Sequence, residues 1–181
     1  MAHTIHLALA CALLAQACAY SSVPHAFEAR GFSPAEVEVI RDAAAQWSDA
    51  GYPTIVTTDA CDGCSVIRSV HRLRMCGSVA GVQHCIDAPA TSLAMTQYDS
   101  GLDSTSTADA DHYGVSILAH RGETPEWYAA RGVEDNLDYV HQMALHELGH
   151  TWGREHGAPG TAMCAHIDCM SHYLTAADVA P

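Results

Sequence analysis

His146-Glu147-Leu148-Gly149-His150-Thr151-Trp152-Gly153-Arg154-Glu155-His156 sets three histidines, two glutamates and two glycines in a spacing with a single geometric sense. Residues four apart share a helix face, so the imidazoles of His146 and His150 can reach one ion. Glu147 lies one residue on, about 100° around the axis, near that ion without having to ligate it. His156 rises too far along a straight helix to join the pair. The chain must therefore leave the helix and fold back, and Gly153 admits the backbone angles this needs. Three neutral imidazoles leave a fourth tetrahedral position open to water, which is the catalytic and not the closed structural arrangement of zinc. The expected chemistry is hydrolysis of an amide, with Glu147 as general base toward water and general acid toward the leaving amine. The competing reading is a surface helix in a His-rich chain, and five fixed positions make it the weaker one.

The helix that carries the pair is expected from about Asp135 or Asn136 to Thr151, with Leu137, Val140, Ala144 and Leu148 as its apolar face. Far upstream, Ser33-Pro34-Ala35-Glu36 reads as an N-cap, a proline at the first helical position and a glutamate at the third. The helix it opens sets Val37, Ile40, Ala44 and Trp47 on one face, and Gly51 lies just past its end. A short extended lead precedes it. Strand-like runs cover Thr54–Thr58, Ser65–Leu73 and Gly114–Ala119; in the second, Val66 and Ser69 do not alternate cleanly, so its register stays open. The polar stretch Gln97–His112 reads as a loop. Its Asp99, Asp103, Asp109 and Asp111 admit a calcium ion, Ca2+, but lack a loop-type spacing, and a solvated loop is favoured. Thr175 to Asp178 looks like a capping box opening a short last helix.

The whole chain has 181 residues, room for one domain, and no repeat, low-complexity tract or linker divides it. Net charge is −13, from 21 acidic residues against 8 basic ones, all of them arginine. Such a chain repels phosphate backbones and anionic lipid, so no nucleic acid and no membrane surface is expected as a partner. The apolar run Leu7–Ala17 is too short to span a bilayer as a helix. Small residues follow it, and Ala15-Gln16-Ala17 or Ala17-Cys18-Ala19 serves as a cleavage site. Residues 1–19 therefore read as a signal peptide and 20–181 as the domain of a secreted protein, extracellular or periplasmic. Cys18 invites a lipoprotein reading, but Ala15 stands where a lipobox usually has leucine.

Cleavage would remove Cys11 and Cys18 and leave Cys61, Cys64, Cys76, Cys85, Cys164 and Cys169. An even number in an exported chain argues for disulfides, and spacing suggests Cys61–Cys64, Cys76–Cys85 and Cys164–Cys169. Six cysteines allow 15 pairings, so the connectivity stays open. A cysteine metal site is the rival, but no second C-x-x-C accompanies Cys61-x-x-Cys64.

The stretch from His146 to His156 resembles the extended zinc motif of the metzincin metallopeptidases. Cys169-Met170-Ser171-His172-Tyr173, with Leu174-Thr175 and Asp178-Val179 after it, is similar to the Met-turn and final helix start of matrixin-like bacterial members. The helix with Trp47, the strand Gly114–Ala119 and the zinc helix occur in the order that clan shows. The resemblance implies an α+β fold: a single metzincin-like catalytic domain, a twisted mixed sheet with an N-terminal helix and a zinc-site helix packed on it, and disulfide-stapled loops. It implies one catalytic Zn2+ on His146, His150 and His156, Glu147 as the catalytic residue, and a monomeric zinc metalloendopeptidase acting on protein or peptide substrates. Met163 is the rival of Met170 for the Met-turn. Gly157 leaves the subfamily open. Tyr173 lies three residues after Met170 and not two, so packing competes with oxyanion stabilisation as its role. Asp111, His112 and His120 resemble structural metal sites of matrixins. His166 and His172 are further candidates for a second ion, although lone histidines near loops are commonly surface residues. The strand Gly114–Ala119 is a candidate to pair with an extended substrate. The alternative from another class is a secreted zinc-containing binding module with an impaired cleft, against which an intact Glu147 weighs. A non-peptidase zinc hydrolase on the same scaffold is the third.

Overall fold

The computed structural model of the chain describes residues 23–70, 74–79, 82–87, 94–98, 115–120, 126, 129 and 135–180. The proposed signal peptide, Asp99, Asp103, Asp109, Asp111 and His112 lie outside these residues.

Local signals set the first helix. In α1 (Pro34–Asp49), the Ser33 Oγ accepts the Glu36 N–H at 3.3 Å, and the Glu36 carboxylate accepts the Ser33 N–H at 2.6 Å. Val37, Ile40, Ala44 and Trp47 are all buried, as the spacing predicts. Gly51 follows at φ +94°, a left-handed turn that glycine enters without strain. The extended lead is strand β1 (His25–Arg30), and β2 (Thr54–Thr57) lies parallel beside it. The connection between them is α1, which packs back onto β2.

Five further strands follow: β3 (Ser65–Val70), β4 (Arg74–Val79), β5 (Val82–Asp87), β6 (Ala94–Tyr98) and β7 (Val115–His120). The main sheet has 5 strands in the order β2-β1-β3-β7-β6. The first four run parallel, and β6 closes one edge antiparallel to β7. The mixed sheet is thus present. Ser65 and Ile67 point inward while Arg68 is exposed, which settles β3, with Ile67 opposite Ile117. Two sequence expectations are corrected here. The polar loop starts later than Gln97, because Gln97 and Tyr98 belong to β6. The strand near 114–119 is an interior strand, so its edges are taken by β3 and β6. The separate antiparallel pair of β4 and β5 was not anticipated; its register sets Cys76 opposite Cys85. Cys61–Cys64 and Cys164–Cys169 are bonded, as the spacing suggests.

Helix α2 (Asn136–Thr151) is capped by the Asp135 carboxylate, which accepts the Asp138 N–H at 2.8 Å. Val140, Ala144 and Leu148 are buried, but Leu137 is 36% exposed and leaves the predicted face. The reason is tertiary: past its first turn α2 is packed against α1, β6 and β7, so Tyr139, Met143 and Leu145 are buried as well. Two polar ties fix the helices against each other. Asn136 Nδ2 donates to Glu36 Oε1 at 2.5 Å, and Trp47 Nε1 donates to the Leu145 carbonyl at 2.8 Å. The core joins Phe27 and Ile67 of the sheet to Ile40, Trp47, Tyr139, Leu145, Leu148 and Met163. Among the described residues no helix is long and apolar enough to cross a membrane.

Close packing of α2 makes Gly149 a sensitive position. A Cβ there would stand 2.3 Å from Met163 Sδ and 2.7 Å from Trp47 Cζ2. The Met163 side chain can swing, but the Trp47 ring is fully buried and cannot. Gly149→Ala is expected to destabilise the protein by about 1–3 kcal/mol, which at roughly 2–4 °C per kcal/mol is read as a lowered Tm. An unchanged Tm would refute this account of the contact.

Candidate metal centre

His146 and His150 are one turn apart on α2, and their Nε2 atoms converge to 3.0 Å. The helix stops at Thr151. Trp152 N–H and Arg154 N–H return to the Gly149 carbonyl, and Gly153 N–H returns to that of His150. Gly153 takes φ +72°, the left-handed angle that reverses the chain as the sequence requires. His156 comes back beside the pair, with ring centroids 5.2 Å from His146 and 5.0 Å from His150. Nitrogens of all three imidazoles lie within 4.8 Å of one another, a group that can hold one metal ion. Among the described residues no other group of three or more His, Cys, Asp or Glu side chains does so.

Backbone carbonyls set the tautomers of the helical pair. His146 Nδ1 faces the Ala162 carbonyl at 3.0 Å, and His150 Nδ1 faces the Arg154 carbonyl at 2.7 Å. A carbonyl oxygen only accepts, so each Nδ1 carries the hydrogen and each Nε2 keeps its lone pair for an ion. Burial, with the neighbouring histidines adding to it, pushes His146 down to about 4. Burial likewise lowers His150. Both stay neutral near pH 7, the form that ligates.

The segment beneath the site is the turn through Ala162 and Met163. Met163 is 2% exposed and lies against Gly149, whereas Met170 is only half-buried in the following loop. Of the two methionines, Met163 is therefore the one packed against α2 between His146 and His150. The cause is the return path: Gly157 N–H bonds the Met163 carbonyl at 2.7 Å, which brings the chain back within a few residues of His156. Tyr173 is 72% exposed, so it is not packed, and it is not among the residues that line the cleft beside Glu147. His166 is exposed, and His172 meets Asp138 at 2.8 Å.

Glu147 is buried beside this triad, and burial raises its carboxyl to about 7 against the opposing pull of Thr96. The Thr96 hydroxyl stands 2.6 Å from Glu147 Oε2 and 3.2 Å from the Glu147 carbonyl. No described residue hydrogen-bonds Oε1. Glu147, Thr96 and Ala94 line an open cleft of about 510 Å³ together with His150, Gly153, Arg154, Glu155 and His156.

Thr96 and Asp178 escaped the sequence reading as site residues. Nothing short of the pairing of β6 with β7 announces Thr96. Asp178 carried a signal, the capping box at Thr175, and its carboxylate does accept the Thr175 N–H at 2.8 Å. That carboxylate also accepts the N–H groups of Ala162 and Met163, at 3.2 and 3.0 Å, and so braces the turn that orients His146. Compared with known proteins, the chain matches no family model and no curated sequence.

Proposed function

We propose that this protein is an exported zinc endopeptidase of the metzincin type. The observation that carries the reading is the convergence of three imidazoles, two of which, His150 and His156, line one open cleft together with Glu147. Tetrahedral nitrogens about 2 Å from one zinc ion stand roughly 3.3 Å apart, close to the 3.0 Å of the helical pair. A three-imidazole donor set, with the Nδ1 hydrogens of His146 and His150 held by backbone carbonyls, suits zinc and not calcium, which takes oxygen ligands.

Held by His146, His150 and His156, zinc would supply Lewis acidity, lowering the pKa of water and polarising a carbonyl oxygen. The remaining work falls to the chain. Glu147 takes the proton at Oε1 and returns it to the departing amine, while Thr96 occupies Oε2 and holds the carboxylate in place. Ala94 and Thr96 line the cleft from β6, the terminal strand of the sheet, so an extended peptide can pair with that strand in front of Glu147. The substrate-pairing strand of this reading is β6, replacing the strand near 114–119.

Denatured casein incubated with the oxidised, zinc-loaded protein is the direct test. Cleavage that stops with a chelator and returns with zinc supports the peptidase; a folded, zinc-loaded protein that cleaves nothing moves the reading to a zinc-containing binding module. Within active protein, Thr96→Val is expected to lower kcat by about 10-fold at unchanged KM, the equivalent of one hydrogen bond to a charged group. Thr96→Ser, which keeps the hydroxyl, should restore it. Equal kcat in all three proteins would remove Thr96 from the mechanism.

A further inference from the structure

Arg154 sits between Gly153 and His156, in the short loop that carries the third histidine away from α2 and back. Its backbone is already part of the site: the carbonyl takes the Nδ1 hydrogen of His150, and the N–H closes the helix end on Gly149. Its side chain runs the other way. The guanidinium lies over the Tyr52 ring, 4.9 Å from the centroid, and bonds the Tyr52 hydroxyl. It also donates to the carbonyls of Val179 and Ala180, just at the end of the last helix, Ala176–Val179 (α3). Arg154 Nε is buried with no hydrogen-bond partner among the described residues. A cation kept there at that cost is held by what its fork reaches.

We propose that Arg154 is a positioning residue of the metal centre: its guanidinium locks the loop 152–156 to the C-terminal turn and to Tyr52, and so fixes the carbonyl that orients His150. The geometry rests on two contacts at opposite ends of one residue, and neither end needs the peptidase reading. It rests only on the triad as a metal site. Without the lock, the loop is free to shift, the His150 Nδ1–H loses a fixed acceptor, and His156 loses its fixed approach. Losses of outer partners of this kind weaken metal binding by about 10- to 100-fold. A lysine keeps the charge but not the planar fork that reaches a hydroxyl and two carbonyls together.

The test is metal affinity, measured on the oxidised full chain with zinc against a chromophoric chelator, and with cobalt for its visible absorption. Arg154→Met keeps bulk and removes the fork; it is expected to bind zinc about 10-fold more weakly or worse, with an altered cobalt spectrum and an unchanged far-ultraviolet circular dichroism. Arg154→Lys should recover little of the affinity. Tyr52→Phe removes one partner of the fork with little change of volume, and should weaken zinc in the same direction by a smaller factor. A folded Arg154→Met with wild-type affinity and wild-type cobalt bands overturns the proposal. Should Arg154→Met not fold, wild-type affinity in Tyr52→Phe overturns it instead. Wild-type protein that binds neither metal overturns the metal site itself, an outcome distinct from both.

Discussion

Glu147→Ala is expected to keep its zinc and lose peptide cleavage by about 10²- to 10⁴-fold in kcat, the range that a positioned general base contributes. The separation follows from where the side chain stands. Glu147 is on α2 between the two helical histidines but is turned to the cleft and to Thr96, and none of the bonds that orient His146 or His150 passes through it. Burial raises its carboxyl to about 7, so the group is poised to exchange a proton near neutral pH. Zinc content by atomic absorption and casein cleavage, taken on the same preparation, read the two halves independently. A variant that loses zinc along with turnover would falsify the assignment of Glu147 as a base outside the ligand set.

His150→Ala is expected to do the opposite and lose the metal. Removing a ligand must cost more than the roughly 10- to 100-fold that follows from removing a ligand's outer partner. The clearest readout needs no substrate. An ion that binds only the folded chain stabilises it by about 2.7 kcal/mol at a concentration 100 times Kd, which for a chain of this size raises Tm by roughly 5–10 °C. Wild type and Glu147→Ala should both show that rise on adding zinc, and His150→Ala should show none. A full zinc-dependent rise in His150→Ala would mean that the ion sits elsewhere.

Features written in neighbouring residues were legible in the sequence. Ser33 and Glu36 cap α1 through bonds only three residues long, and the pair His146 and His150 follows from helix periodicity alone. The reversal at Gly153 was legible because the third histidine demands it. What escaped depends on partners far along the chain. Ala94-Met95-Thr96-Gln97-Tyr98 becomes a strand by pairing with β7 across a polar stretch, and Thr96 meets Glu147 at a separation of 51 residues. The choice between Met163 and Met170 turned on how the backbone returns after His156. Leu137 matched the apolar period but sits in the first turn of α2, where Asn136 and Asp138 meet α1 and His172 while Leu137 itself stays exposed. The pairing of β4 with β5 had no comparable local sign, because Ala80-Gly81 between Val79 and Val82 is neither an Asn-Gly type of pair nor a Gly-first one.

The Cys164–Cys169 bridge spans only five residues and begins immediately after Met163. A ring that small removes little freedom from the unfolded chain, on the order of 2 kcal/mol, so its value is not chiefly global. Its Cys169 end holds the Gly160 N–H through a carbonyl at 2.8 Å, and Ser171, just beyond, returns to Thr161 at 3.0 Å. The bridge therefore pins both margins of the turn that presents the Ala162 carbonyl to His146. Made where thiols stay reduced, the same chain would keep its helices and sheet but offer the ion a slacker floor. The bridge is in this sense expected to serve the Ala162 turn more than the fold as a whole.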